Sequence, residues 1–337
     1  MDDEGIGQLI AAADPEMQTA DSEPTLRQME IRDRIYAGIY MSSMMPARGV
    51  ARRRWAVRTP LAVLTAVLAF LLVVAPAVIR TAPASAVTPR PLPFTPTSQS
   101  PQDVLEMVKR TVATEQHSGP RTPLRESYSV GWYLQLALGD GAVKSAAVIA
   151  PQITSTVWSA DLSGRTTISA GAPYSADAGD SIPAADAPVK GTVLVDTPFG
   201  AGQFETPIPL PPGDSTRDIV NMLKQAGLAS GGRGADMIDA IVNTFSYWTL
   251  TSEQQRVLLG VVLAESDVFV LGSTVDRADR DVIGVAADSS SFPGVRKILL
   301  VSRDTGRIVA VEAQRTTEAY GIPAGSVISY TLWDVDK

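Results

Sequence analysis

The sequence predicts an α+β domain, a curved antiparallel sheet of half-barrel type packed with helices, preceded by one transmembrane helix. Three observations predict it. Segments of apolar and polar alternation occupy both ends of the outer region, segments with helical spacing fill its middle, and one long uncharged run, Leu61 to Ile79, lies ahead of them all. Strands, then helices, then strands is the order of an α+β fold rather than of a βαβ repeat.

No residue from Leu61 to Ile79 is charged, and a helix of that length spans roughly 28 Å at ~1.5 Å per residue, close to the hydrocarbon thickness of a bilayer. A soluble core helix would show a polar face, whereas this run shows only Thr65 and Pro76. Residues 60–79 are therefore read as a transmembrane helix. The "ASA" at Ala84–Ala86 resembles a cleavage site and Arg53-Arg54 an export signal, so a cleaved form stays open beside the retained anchor. Arg48, Arg52, Arg53, Arg54 and Arg58 precede the run, and only Arg80 and Arg90 follow it closely. Positive residues stay inside, so the expected product is a single-pass plasma-membrane protein with its N-terminus cytoplasmic and its C-terminal domain extracytoplasmic.

The cytoplasmic segment, 1–51, holds one amphipathic helix. Thr25 and Gln28 form a capping box, after which Ile31, Ile35, Tyr36, Ile39 and Tyr40 share a stripe. An isolated helix of this size is marginal in water, so its stripe needs cover: the membrane surface, another copy, or a cytoplasmic regulatory partner.

Beyond the span, the linker 80–100 carries prolines at 83, 89, 91, 93 and 96. Proline at that density favours an extended spacer of ~3.1 Å per residue that holds a folded domain off the bilayer. The extracytoplasmic α+β domain is expected over 101–337. Ser100 as N-cap, Pro101 at the first helical position and Asp103 in the first turn open it, with Val104, Leu105, Val108 and Val112 on one face.

In "SYSVGWYLQLAL", Tyr128, Val130, Trp132, Leu134, Leu136 and Leu138 alternate with Ser127, Ser129, Gly131, Tyr133 and Gln135, giving a strand with one dry and one wetter face. "ITSTVWSADLSGRTTISAG" reads as a hairpin turning at Leu162-Ser163-Gly164, Ala172 to Val189 as a surface loop, and "KGTVLVDTPFGAGQFETPIPL" as a strand or two. Three helices follow. "TRDIVNMLKQAG" is capped by Asp214 or Ser215 and closed by Gly227, "ADMIDAIVNTFSYW" is the second, and "TSEQQRVLLGVVLAES" opens on the Thr251–Gln254 capping box. The last stretch is a meander of about five short strands, one hairpin turning at Asp304-Thr305-Gly306.

Composition bounds the chemistry. A hydrophobic fraction of 45% against 19% charged residues can bury a core, and the net charge of −7 argues against nucleic-acid binding by a general positive field. The absence of cysteine removes disulfides, thiolate metal sites and cysteine nucleophiles, and a single histidine, His117, cannot anchor an ordinary zinc site. No cofactor and no metal are expected. "GDGAVKS" lacks the glycine that a phosphate loop needs before its lysine and reads as a hairpin turn. "SGGRGAD" has the wrong spacing for a dinucleotide loop, and "DRADRD" pairs its carboxylates with Arg277 and Arg280 in a turn. Paired carboxylates for hydrolysis are not selected by any pattern.

What remains is apolar and aromatic. Tyr128, Trp132, Leu136, Trp158, Trp248 and Trp333, with Tyr330, lie on predicted strands or beside predicted helices. Two readings stand side by side: they line a pocket for an acyl chain or another greasy ligand, or they fill the core.

An Arg-flanked span, a Pro-rich tether, "WSADLSGRTT", "QQRVLLGVVLAESDVFVLGSTVDRADRDVIGVAA" and "ILLVSRDTGRIVAVEA" occur in that order. In this the chain resembles a family of actinobacterial single-span membrane proteins often encoded beside extracytoplasmic-function sigma factors. Its outer domain is similar in pattern to the half-barrel of lipoprotein carriers and of periplasmic sensors that bind anti-sigma factors. The resemblance implies a non-enzymatic sensing or binding role in the envelope, linked to sigma-factor stress signalling, and brings no catalytic residues with it. Implied partners are the lipid bilayer, a hydrophobic ligand or envelope protein, and a cytoplasmic regulatory partner. The chain departs from this pattern at 1–51, which is short for a full anti-sigma domain and has no His/Cys zinc signature. The alternatives are an anchored envelope hydrolase using carboxylates, and a structural envelope adaptor with a filled core.

Overall fold

The computed structural model describes residues 88–114, 119–134, 137–139, 142–144, 149–175, 189–319 and 322–335, all within the unit from Arg52 to Lys337. The apolar run 60–79, the stripe of Ile31, Ile35, Tyr36, Ile39 and Tyr40, and Leu136 lie outside those residues. Among the described residues no helix is long and apolar enough to cross a membrane.

Each helix starts where its capping chemistry places it. Helix α1, Pro101–Thr114, opens on a reciprocal pair: the Asp103 N–H donates to Ser100 Oγ (3.2 Å) and the Ser100 N–H to Asp103 Oδ2 (2.8 Å). Helix α2, Thr216–Gln225, is capped by Ser215, which accepts from the Asp218 N–H, and ends at Gly227 with φ +105°. Helix α3, Gly234–Phe245, buries most of its length, and α4, Ser252–Val262, carries the Thr251–Gln254 capping box. The spacing of Val104 and Val108 on α1, and of Ile219, Met222 and Leu223 on α2, turns one stripe of each helix into a shared core.

The strands are β1 Glu126–Tyr133, β2 Ala137–Gly139, β3 Ala142–Lys144, β4 Gln152–Trp158, β5 Gly164–Ala170, β6 Val193–Phe199, β7 Phe269–Val275, β8 Asp281–Asp288, β9 Val295–Ser302, β10 Ile308–Arg315 and β11 Val327–Leu332. Nine of them form one antiparallel sheet in the order β6-β5-β4-β1-β11-β10-β9-β8-β7, while β2 and β3 make a separate hairpin. The sheet is open, with β6 and β7 as its two edges. Strands before the helices join strands after them through β1 and β11, in the register Trp132↔Tyr330 and Val130↔Leu332.

Both faces of the sheet carry a buried core. Helices α1 to α4 pack over one face, against Ile283, Val285, Leu299, Val301 and Val311 among others. The second face gathers Trp132, Val282, Ala286, Ile298, Leu300, Tyr330 and Leu332, with Leu92, Phe94 and Tyr174 laid against them.

Three features differ from the sequence expectation or add to it. The first strand ends at Tyr133 instead of running to Leu138, because its partner β11 begins at Val327: Leu134 gives its N–H to Ile328 O (2.9 Å), and then the chain leaves for the β2–β3 hairpin. The helices, whose side the alternation of β1 left unassigned, stand over its more polar face, where Ser127 Oγ donates to Phe245 O (2.5 Å). The Pro-rich stretch read as an open spacer lies, from residue 88 onward, against the sheet, bridged to β7 through Thr95 and Ser273.

Candidate functional site

The register of the sheet separates the predicted aromatic set. Val130 and Trp132 lie on the second face, while Trp158 at the end of β4 and Trp333 just after β11 point to the helix side. Trp248 follows α3 and packs on the helix side too. One continuous greasy pocket lined by all of them is therefore not built, and Leu136 is not described. The reason is the twofold period of a strand: Trp132 and Trp158 sit on neighbouring strands at positions of opposite parity, which no pattern within either strand reveals.

On the helix side, Trp158 and Trp248 meet edge to face with centroids 5.1 Å apart, and Phe204 stacks on Trp158 at 5.4 Å. Both indole N–H groups are bound, Trp158 Nε1 to Tyr247 O (2.8 Å) and Trp248 Nε1 to Ile208 O (2.9 Å), which fixes the rings as core rather than as mobile walls. The Arg125 guanidinium lies 5.2 Å from each ring centroid. Sequence reasoning missed Phe204, Tyr247 and Arg125, since residues outside regular elements have no period to reveal them. Trp333 packs edge to face on Phe245 at 5.0 Å.

A cavity of about 210 Å³ brings Tyr128, Trp248 and Trp333 together, with Phe245, Leu250, Gln255, Arg307 and Asp334 also on its wall. It falls below the ~300–1,000 Å³ of ordinary ligand pockets. Its polar groups are engaged: Gln255 Oε1 accepts from the Ile308 N–H (2.8 Å), and Arg307 Nε donates to Asp334 Oδ2 (2.6 Å). A larger open cleft of about 480 Å³ runs between Gly119–Pro123, Pro212–Asp214 and the first turn of α4. Its wall includes two carboxylates, Asp214 and Glu253. Hydrolysis by a carboxylate pair needs one member held protonated. The side-chain hydrogen bond from Arg256 instead holds the Glu253 carboxyl below the ordinary range, so Glu253 does not suit the protonated role.

On the second face, Trp132 stacks on Tyr330 at 6.4 Å, and the Arg277 guanidinium sits 4.9 Å from the Tyr330 ring. Arg277 Nε donates to Glu312 Oε1 at 2.7 Å, and Glu312 is only 1% exposed. Burial pushes the Glu312 carboxyl up despite that pairing, and it pushes the Tyr174 and Tyr330 hydroxyls up as well. A carboxyl raised in the folded state binds its proton more readily there than in the unfolded chain. Stability from this group therefore rises as pH falls from neutrality toward the ordinary glutamate range, and levels off below it. Thermal unfolding of the wild type and of Glu312→Gln across that interval checks this. The wild type gains a few degrees of Tm on mild acidification relative to Glu312→Gln, and parallel curves would contradict it.

No protein-family model matches the chain, and no curated protein does. One solved structure aligns weakly. It is described as an "outer membrane lipoprotein-sorting protein domain" from Vibrio parahaemolyticus, 10% identical, covering 70% of this chain and 92% of that one with a TM-score of 0.20. A likeness at that level carries no argument about the function of this chain.

The two edges of the sheet are unlike. At β7, Thr95 makes two backbone hydrogen bonds to Ser273, 2.8 and 3.1 Å, so part of that edge is covered by the chain itself. At β6 no described residue pairs with the outer edge. Val193 and Leu194, at a bulge where β6 gains a residue over β5, are 59% and 38% exposed, with Val189 at 76% and Val157 on β4 at 51%. Pro198 inside β6 fits an edge strand, since it gives the ladder no N–H.

Proposed function

We propose that the chain is a membrane-anchored extracytoplasmic binding protein, non-enzymatic, whose partner is another envelope protein that adds an extended segment to the open edge of β6. The observation that carries this reading is the contrast between the edges. One is blunted by the chain's own tether, while the other, among the described residues, has no strand on its outer side and carries the exposed Val193 and Leu194, an arrangement suited to strand addition. The aromatic core supports a protein partner over a stored acyl chain, because its rings are locked by hydrogen bonds around a cavity of about 210 Å³.

The anchor is the helix 60–79, with the N-terminus inside. The cytoplasmic stripe of Ile31, Ile35, Tyr36, Ile39 and Tyr40 takes a regulatory partner, and control of a sigma factor in envelope stress is the finest form of the proposal.

The test is Val193→Lys combined with Leu194→Asp in the full chain, purified from membranes. Exposed positions tolerate such changes within about 0.5 kcal/mol, so Tm should hold while the envelope partner is lost. An unchanged partner set at unchanged Tm would reject the edge. Conversion of a dimer to a monomer in place of the loss of a second protein would replace the envelope partner with a second copy.

A further inference from the structure

The tether meets the sheet at two glycines. Gly272 on β7 and Gly284 on β8 are register partners, so a patch two strands wide has no side chains. A Cβ on Gly272 would overlap the Thr95 carbonyl oxygen, and a Cβ on Gly284 would overlap the Phe94 ring. Gly272 has φ +122°, a conformation that L side chains rarely adopt, and the β7–β8 register shifts between Val270 and Gly272. The bare patch is thus a slot whose floor is backbone, with the segment Phe94-Thr95 lying in it.

Around the slot, polar groups hold the tether's backbone rather than its side chains. Thr274 Oγ1 donates to Pro93 O (3.0 Å), Arg277 Nη2 donates to Arg90 O (2.7 Å), and Thr95 exchanges both backbone hydrogen bonds with Ser273. Arg277 is itself placed by Glu312 and by the Tyr330 ring. Prolines at 91, 93 and 96 leave this stretch few N–H groups of its own, and a sheet edge that reads carbonyls suits such a segment.

The hold is partial. Leu92 and Phe94 are half-buried, while Arg90, Pro91, Pro93, Thr95 and Pro96 are exposed, so the segment makes the every-other-residue contact of a docked peptide. By contrast the neighbouring β8 is buried over most of its length and paired on both sides. Segments with few buried contacts and few hydrogen bonds open ahead of the rest of the fold.

We propose that the Gly272–Gly284 slot is a recognition site for an extended proline-rich segment, that its resident ligand is the chain's own tether from Arg90 to Pro96, and that this tether is a releasable strap. Release uncovers part of the apolar second face, around Val282, Ala286 and Ile298, and frees the β7 edge. It also returns roughly 20 Å of extended chain to the spacer at ~3.1 Å per residue. The strap stands independently of the β6 reading, since it involves the opposite edge.

Hydrogen exchange on the full chain in detergent tests it, read at the Ser273 amide, which donates to Thr95 O, and at the Val285 amide in β8 as a core reference. In the wild type the Ser273 amide exchanges by local opening, at a rate that low denaturant does not change, while Val285 responds to denaturant. Thr95→Pro alters only the tether and removes one of the two bridging N–H groups. It should speed Ser273 exchange about tenfold or more and leave Val285 unchanged. A synthetic peptide of residues 88–98 added to Thr95→Pro should restore the protection, and the same peptide added to Gly284→Val should not. Ser273 exchanging together with Val285 in the wild type, or exchange in Thr95→Pro at the wild-type rate, would overturn the strap. Failure of the peptide to protect Thr95→Pro would overturn recognition by the slot.

Discussion

Trp248→Ala should be among the most damaging single substitutions in the domain. The side chain is 1% exposed, meets Trp158 at 5.1 Å, lies 5.2 Å from the Arg125 guanidinium and donates to Ile208 O. Truncation removes the largest fully buried side chain, enlarges the existing cavity on its wall, and leaves a buried carbonyl without its donor. Losses of about 3–5 kcal/mol are usual for such deletions, a large part of the ~5–15 kcal/mol that holds a typical protein folded. At about 2–4 °C per kcal/mol for a domain of this size, Tm should fall by roughly 10 °C. Thermal unfolding of the full chain measures this. If Trp248 instead walls a ligand pocket, Trp248→Ala would lose a ligand while Tm moved little, and that result would favour the pocket over the filled core.

Arg307→Ala should cost a similar amount for a different reason. Arg307 is 3% exposed and donates to Asp334 through Nε (2.6 Å) and Nη2 (3.3 Å), and through Nη1 to Leu250 O (3.2 Å) and Ser252 Oγ (3.3 Å). It therefore ties Asp334, two residues past β11, to the turn that starts α4. Gly119 leaves the room, since a Cβ there would overlap the guanidinium. Arg307 is the buried member of the pair, and truncating it leaves Leu250 O without its donor as well as Asp334 without its cation, so the loss should approach that of a broken buried pair, about 3–5 kcal/mol. An amide at 334 still offers an oxygen acceptor to the Arg307 fork and leaves the side chain's packing in place, so Asp334→Asn should cost less than Arg307→Ala. Arg307→Lys keeps the charge but not the fork, and should recover only part of the stability. Denaturant unfolding of the three variants orders them, and equal midpoints for Arg307→Ala and the wild type would contradict the tie.

Local chemistry was legible in the sequence, and long-range placement was not. Ser100 with Asp103, Ser215, and Thr251 with Gln254 mark three helix starts by side chains that bond within three residues, so the signal and the structure lie in the same window. Hairpins at Leu162-Ser163-Gly164 and at Gly306 likewise declare themselves, the latter through a left-handed turn at φ +67°. The alternation of Ser127 to Tyr133 gave the correct parity for β1 but not the side from which helices would come. Pairing of β1 with β11 joins residues some 200 positions apart, about the separation of Tyr133 and Thr331 (198), whose hydroxyls are 3.2 Å apart. The same non-local register put Trp132 and Trp158 on opposite faces. The tether looked like a spacer because its prolines exclude regular structure. Gly272 and Gly284, which would have betrayed its docking, become meaningful only once paired across two strands.

Binding of an envelope protein along β6 is tested most directly by placing a photoreactive amino acid at Val193 of the full chain in intact cells, with a second one at Lys109 on α1 as a distant control. The expected result is a discrete heavier band from position 193, containing this chain and one other envelope protein, and none from position 109. Adducts at 193 to lipid alone, or equal capture from both positions, would contradict it.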